Sequence, residues 1–99
     1  MSIVEQNTEA IHKLCLSYHV DKMYLFGSAL NKQINKESDI DFLVKFKQID
    51  LYHYFNNYMS LKESLKTLLG HEIDLVEEQT LKNPILIESI NRSKKLIYG

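Results

Sequence analysis

The sequence predicts an α/β (α+β) fold, a small sheet flanked by helices, in a single domain spanning residues 1–99. A chain of 99 residues has room for one hydrophobic core. Two short segments, 39–46 and 71–77, alternate apolar and polar side chains as strands do. Between them, residues 51–69 carry apolar side chains at the spacing of a helix that buries one face. Strand-like and helix-like segments therefore alternate along the chain, which is typical of α/β architectures.

The first half of the chain contains two predicted helices and two predicted strands. A helix is expected over residues 3–19, and a strand over 22–26 that stops at Gly27. Ser28 is a favoured N-cap, which predicts a short helix to about Lys32. After a polar loop, residues 39–46 form the clearest strand of the sequence.

The second half predicts a long helix, a strand and a last helix. The apolar stripe of the long helix consists of Leu51, Tyr54, Phe55, Tyr58, Leu61, Leu65, Leu68 and Leu69. Gly70 follows where a left-handed C-terminal cap is expected. Pro84 suits the first turn of a helix over 85–93, and residues 95–98 are a short apolar end. The predicted order is α, β, α, β, α, β, α.

Composition narrows the function classes. The hydrophobic content of 44% with 25% charged residues is that of an ordinary globular protein. A formal net charge of −1 gives no broad footprint for nucleic acid. Lone Cys15 excludes an internal disulfide, and no apolar run approaches the length of a membrane span. We therefore expect a cytoplasmic protein without a membrane or nucleic-acid partner, and its small core favours a homo- or hetero-oligomer.

Asp39 and Asp41 form the most informative pair in the sequence. Residues i and i+2 of a strand leave the same face, so both carboxylates point one way. The opposite face is apolar and consists of Ile40, Phe42, Val44 and Phe46. At about 5–6 Å, two carboxylates repel by roughly 3 kcal/mol at an effective dielectric constant near 20. Such a pair favours a divalent cation between its two members.

Two further features fit a phosphate and metal site. Gly27-Ser28 ends a predicted strand at the mouth of a helix, where free backbone N–H groups bind anions. Asp74 lies within an apolar strand, where an acidic side chain is costly to bury unless it is paired or binds metal. Together with Asp39 and Asp41, it could hold two cations about 3.5–4 Å apart, as in two-metal phosphoryl transfer.

Two other clusters carry competing interpretations. His12, Cys15 and His19 lie at helical spacing and could suggest zinc, but no clear fourth ligand is nearby, which favours Cys15 as a small core residue. The aromatic run 52–58 could stack nucleic-acid bases, yet its helical spacing favours the core or a protein interface.

Gly27-Ser28, followed after ten residues by Asp39-Ile40-Asp41 and later by Asp74 in a strand, resembles the nucleotidyltransferase superfamily of DNA polymerase β. Within it, the chain looks like the minimal (MNT-type) nucleotidyltransferases, and the resemblance covers nearly all of its length. It implies a polymerase β-like fold with a small mixed sheet. It also implies transfer of AMP from ATP with release of pyrophosphate.

The resemblance assigns roles to individual residues. Gly27 and Ser28 would cradle the nucleotide phosphates, and Asp39 and Asp41 would ligate two Mg²⁺ ions. Asp74 would be the third ligand and would position or deprotonate the acceptor hydroxyl.

One segment departs from the family pattern. Leu30-Asn31-Lys32 stands where the family usually has a small residue, an arginine and a glycine. Lys32 or Lys36 could replace the lost charge, although lysine does not reproduce a bidentate arginine.

The resemblance also implies a partner. MNT-type proteins pair with an all-helical HEPN-type toxin, and the implied role is an antitoxin that adenylylates this toxin, on a tyrosine by analogy. Two alternatives remain open. One is an antitoxin that neutralises its partner by complex formation, with weak or no catalysis; the other is nucleotidyl transfer to a small molecule or an RNA end.

Overall fold

The computed structural model describes residues 3–26 and 39–99, and these form a four-stranded sheet with helices. The helices are α1 (Ile3–Gln6), α2 (Thr8–Ser17), α3 (Leu51–Leu69) and α4 (Pro84–Ser93), with a 3-10 helix at Glu78–Thr80. The strands are β1 (Val20–Phe26), β2 (Ile40–Phe46), β3 (Ile73–Glu77) and β4 (Lys95–Tyr98). No helix among these residues is long and apolar enough to cross a membrane.

The sheet is mixed, as expected, with the strand order β3-β2-β1-β4. β1 pairs antiparallel with both β2 and β4, whereas β2 and β3 are parallel and are connected through α3. Parallel neighbours require a crossover of this kind. Since α3 returns the chain to the start of β3, the acidic ends of β2 and β3 lie side by side.

The main core lies between one face of the sheet and the helices α1, α2 and α3. Its least exposed members, at 0% relative exposure, are Val4, Ile11, Cys15, Met23, Ile40, Phe42, Val44, Leu61 and Leu65. The apolar face of β2 predicted from the sequence, Ile40 to Phe46 at alternate positions, is therefore confirmed. Leu43 and Ile90 are also buried, but outside this cluster.

The predicted bounds of α3 are correct, and both of its ends are capped. The Asp50 carboxylate accepts a hydrogen bond from the His53 N–H, and Gly70 adopts a left-handed φ of 69°. The glycine cap is the one predicted from the sequence, and the structure adds Asp50 as the cap directly before the helix.

The N-terminal helix is divided and shorter than predicted. It breaks at Asn7, whose side chain donates to the Ile3 carbonyl, and the Thr8 hydroxyl bonds to the same turn. Such side chains compete with the helical hydrogen bonds of the backbone. The second part ends at Ser17, two residues early, and His19 has a φ of 60° before β1 begins. β1 consequently starts at Val20 rather than at residue 22.

The other differences concern strand ends and the C-terminus. β2 and β3 begin one and two residues later than predicted. The apolar end at residues 95–98, for which the sequence predicts no strand, pairs antiparallel with β1 as the edge strand β4. A segment of four residues shows too little alternation for its pairing to be recognised from the sequence alone. The short helix predicted at 28–32 lies outside the described residues.

The apolar stripe of α3 is only partly core. Leu61, Leu65 and Leu69 are buried, whereas Leu51 and Phe55 are 91% and 67% exposed. For these two residues the core interpretation is therefore wrong.

Candidate active site

Asp41 and Asp74 lie directly opposite each other on neighbouring parallel strands. Their Cα atoms are register partners in the pairing of β2 with β3. The residues on either side of each point into the core, so both carboxylates leave the opposite face of the sheet. Asp41 is half-buried and Asp74 is exposed. The register therefore brings together two acids that are separated by 32 intervening residues in the sequence.

The pKa of Asp41 is affected by its proximity to Asp74. Its pKa is raised above the usual aspartate value, first by burial and then by the negative charges of Asp74 and Asp39. A side-chain hydrogen bond with Asp74 also raises the pKa of Asp41, so the two carboxyl groups are in contact. A bound proton or a cation relieves such repulsion.

Asp39 lies immediately before β2 and is exposed. It is close enough for its charge to raise the pKa of Asp41, as expected for two acids on one face of an extended segment. Among the described residues, no group of three or more His, Cys, Asp or Glu side chains is arranged as a complete metal site. The donor set nevertheless fits Mg²⁺, which uses one or two carboxylates and takes its other ligands from substrate phosphates and water.

Tyr58 of α3 holds the strand that carries Asp74. The Ile40 N–H donates to the Glu72 carbonyl at 3.0 Å, so that carbonyl faces β2. Carbonyl groups alternate sides along a strand, which turns the Leu75 carbonyl towards the free edge of β3. The Tyr58 hydroxyl donates a hydrogen bond to this carbonyl oxygen. A side chain from the helix thus satisfies a backbone group that the edge strand would otherwise leave unpaired.

The side chain of Tyr58 is also electrostatically coupled to the site. Burial and the nearby charge of Asp74 raise the pKa of Tyr58. Its ring stacks on that of Tyr54 at 6.5 Å between centroids. Sequence reasoning placed Tyr58 in the apolar stripe and missed this contact, because spacing along a helix does not show where a phenol hydroxyl ends.

The residues predicted to bind the nucleotide, namely Gly27, Ser28, Lys32 and Lys36, lie outside the described residues. Their roles stay predictions. Asp41, by contrast, pairs in register with Phe26, which immediately precedes Gly27 in the sequence. The end of β1 therefore reaches the acidic pair on its other side.

The zinc interpretation of the first helix is not supported. Cys15 is fully buried in the core, and burial raises its pKa to about 12. Its Sγ lies 3.9 Å from the Met23 sulfur. His12 Nε2 is 2.7 Å from the Ile97 carbonyl oxygen, where it ties α2 to β4. A thiol that stays protonated is a poor zinc ligand, so Cys15 is a core residue as favoured.

The fold and this acidic pair define a class of protein. Residues 9–99 match the family described as polymerase beta, nucleotidyltransferase, and the chain belongs to this family. Within it, the chain is a nucleotidyltransferase of the minimal, MNT type.

Two curated relatives carry related names. A Methanocaldococcus jannaschii protein, provisionally named as a protein adenylyltransferase, is 37% identical over 88% of this chain and 86% of its own length. The protein adenylyltransferase MntA of Thermococcus cleftensis is 35% identical over 69% of this chain and 66% of its own.

Two solved structures share the fold. A minimal nucleotidyltransferase superposes with a TM-score of 0.79 at 29% identity, over 96% of this chain and 95% of that chain. One chain of a toxin-antitoxin complex with AMP-PNP superposes with a TM-score of 0.72 at 25% identity, over 94% of this chain and 73% of that chain. The predicted polymerase β-like fold is therefore confirmed.

Proposed function

We propose that this protein transfers AMP from ATP, with Mg²⁺, to a tyrosine hydroxyl of an HEPN-type toxin and so acts as its antitoxin. The observation that carries the proposal is the Asp41–Asp74 contact across β2 and β3, with Asp39 beside it. In a chain of the nucleotidyltransferase family, this is where a metal-bound triphosphate and an acceptor hydroxyl would meet.

Each carboxylate has a separate task in this proposal. Asp39 and Asp41, which share one face of an extended segment, would hold Mg²⁺. When bound, Mg²⁺ supplies positive charge against the triphosphate oxygens and lowers the pKa of the acceptor hydroxyl. Asp74, exposed on the neighbouring strand, orients that hydroxyl towards the α-phosphorus. The oxygen–phosphorus bond forms as the bond to pyrophosphate breaks, and the hydroxyl proton passes to Asp74 and then to water.

The nature of the nucleotide and of the acceptor is supported by the relatives. Two of them are named as protein adenylyltransferases, and a structural neighbour is a toxin-antitoxin complex with the ATP analogue AMP-PNP. The names of these relatives support a hydroxyl on a protein as the acceptor. The HEPN class of that molecule and its tyrosine rest on the family resemblance.

The second candidate function is neutralisation by complex formation without turnover. Asn31 and Lys32, in place of the family's arginine and glycine, favour it because they remove a positive charge and a turn near the predicted phosphate site. In this case Asp39 and Asp41 could be replaced together without loss of toxin neutralisation.

The decisive experiment mixes the protein with the HEPN-type toxin, Mg²⁺ and α-labelled ATP. We expect label on the toxin and at least about a hundredfold slower transfer with Asp41→Asn, because charge stabilisation of the phosphoryl group is lost. The matched control is Asp21→Asn, an aspartate on β1 near the opposite end of the sheet. Removal of Mg²⁺ with EDTA should also stop transfer.

Other outcomes select the alternatives. Absence of transfer, with neutralisation retained in the Asp39→Ala/Asp41→Ala double variant, would establish the binding function instead. Label that appears on RNA or on a small molecule would replace the toxin as the acceptor.

A further inference from the structure

Four large apolar side chains are exposed together on the N-terminal half of α3. Their exposed fractions are 91% for Leu51, 86% for Tyr52, 67% for Phe55 and 42% for Met59. Leu51, Phe55 and Met59 follow one another at intervals of four, and Tyr52 lies three before Phe55, so all four share one side of the helix. We call these four residues the α3 stripe.

The α3 stripe has no role in the core. The same helix buries Leu61, Leu65 and Leu69 in its second half, where α2 and the sheet cover it. The side of the first half that faces the sheet is occupied by Tyr54 and Tyr58, which are partly buried against the core. Within the part of the chain that the structure describes, the stripe is therefore additional apolar surface that folding leaves in water.

The composition of this surface is that of an interface core. Residues 51–60 contain no Asp, Glu, Lys or Arg. Interface cores are depleted in charge and enriched in Tyr, Phe and Met relative to other surfaces. At these exposed fractions, the rings of Tyr52 and Phe55 alone present about 300 Å², taking about 200 Å² for each ring. A standard interface covers about 800 Å² on each partner, so the stripe is large enough to be its apolar centre.

A groove extends the stripe towards the sheet. Leu51 lines a cavity of about 520 Å³ together with Ile49, Tyr54, Glu77 and Thr80. Its wall therefore joins the start of α3 to the end of β3. A partner that covered the stripe would have a recess here for a protruding side chain.

The position of the stripe connects it to the acidic pair. Tyr58 contacts the Leu75 carbonyl, and Lys66 forms an ion pair with Glu72 at 3.0 Å, so α3 runs along β3. β3 is an edge strand and carries Asp74. Phe55 lies three residues before Tyr58, about 4.5 Å along the helix axis. The stripe lies towards the end of β3, whereas Asp74 lies near its start and leaves the face opposite α3. A molecule seated on the stripe therefore contacts the β3 side of the fold and reaches Asp74 by extending past Tyr58 and around the free edge of β3.

From this placement we infer that the α3 stripe is the docking surface for the toxin that accepts the nucleotide, and that it binds an apolar, uncharged patch of that toxin. The inference rests on the proposed function. It favours the toxin over a second copy of this chain, because the proposed function requires a bound toxin, and a structural neighbour with the same fold is one chain of a toxin-antitoxin complex. Docking at this edge converts the attack of the hydroxyl into a positioned, effectively intramolecular step.

The test compares Phe55→Asp with Leu96→Asp in binding to the HEPN-type toxin. Leu96 is half-exposed on β4, at the opposite edge of the sheet, and the control introduces the same charge there. We expect Phe55→Asp to raise the Kd by at least about tenfold and Phe55→Ala to raise it less, because a buried aromatic anchor is lost. Leu96→Asp should change the Kd by less than about threefold. Circular dichroism of each variant verifies folding.

The outcomes separate this inference from the proposed function. If the wild type and Phe55→Asp bind and label the toxin equally, the docking surface is elsewhere while the adenylyl transfer stands. If Phe55→Asp loses binding while Asp41→Asn binds normally but does not transfer, both are supported. A wild type that does not bind the toxin overturns both. Sedimentation should show the isolated chain as a monomer; a dimer that Phe55→Asp dissociates would make a second copy the occupant.

Discussion

The two faces of the sheet arise from the same alternation of side chains but differ in role: one stabilises the fold and the other carries the acidic site. On β2, Phe42 and Val44 point under the helices and are fully buried, whereas Asp41 points the other way against Asp74. The helix-covered face stabilises the fold by removing apolar area from water. The acidic face instead lowers stability at neutral pH. Burial and two like charges disfavour the ionised form of Asp41 and so raise its pKa. One strand thus shows that stability and chemistry can be assigned to alternate residues.

The sharpest test of the helix-covered face is Phe42→Ala. We expect the free energy of unfolding to fall by about 3–5 kcal/mol, because a fully buried ring is replaced by a cavity. Urea denaturation measures it. A loss below about 1 kcal/mol would show that the core can collapse around the gap and would remove the contrast between the faces.

Tyr58→Phe tests the connection between the two faces. The variant leaves the Leu75 carbonyl at the sheet edge without its donor, which should cost about 1–2 kcal/mol. Tyr54→Phe, a hydroxyl removed from the stacked neighbour on the same helix, is the matched control. Hydrogen exchange should show faster opening of β3 in Tyr58→Phe alone. Equal exchange in both variants would mean that the hydroxyl does not hold the strand.

The buried thiol gives a pH test of the helix-covered face. Burial raises the pKa of Cys15 from 9.0 to about 12, so the folded state binds its proton more tightly than the unfolded state. Stability from the neutral thiol is therefore complete below pH 9 and is lost as the pH rises from 9 towards 12. Thermal unfolding of the wild type and of Cys15→Ala, compared at pH 7 and 10.5, should show a smaller advantage, or a larger deficit, for the wild type at pH 10.5. A pH-independent difference would contradict the assignment.

Asp74→Asn tests the acidic face and has the smallest expected effect. Removing one like charge should stabilise the metal-free protein by up to about 1 kcal/mol, because solvent screens this partly exposed pair. The pKa of Asp41 is raised in the folded state, so its repulsion is present at neutral pH and disappears as the pH falls through that pKa. The variant's advantage in urea denaturation should accordingly shrink as the pH falls through the raised pKa of Asp41. A loss of stability at pH 7 would show that the carboxyl contact is favourable.

Much of the fold was accessible from the sequence because the signals were local. The bounds of α3 follow from the spacing of its apolar residues and from the cap at Gly70. The apolar face of β2 follows from alternation. β4 could not be recognised, because its four residues gain their structure only from pairing with β1. The break at Asn7 depends on side-chain hydrogen bonds that compete with the helix and that the periodicity does not reveal.

The candidate site shows the same division. Asp39 and Asp41 were visible because two residues along one strand share a face. The contact of Asp41 with Asp74 depends on the register of two strands, and the sequence alone could only suggest it. The exposure of Leu51 and Phe55 could not be predicted from the sequence either. Helical spacing indicates an apolar face but does not show whether this chain or another molecule covers it.

The register that places Asp41 beside Asp74 also bears on how the chain avoids misfolding. A slip of β3 by one residue would turn Ile73 and Leu75 into water and press Asp74 into the core. An unpaired carboxylate there would be strongly unfavourable, so the misaligned sheet is destabilised relative to the native register. Asp74, which is proposed to act on the acceptor hydroxyl, thus also disfavours the misaligned pairing of β3 with β2. Its removal should make this register slip less unfavourable.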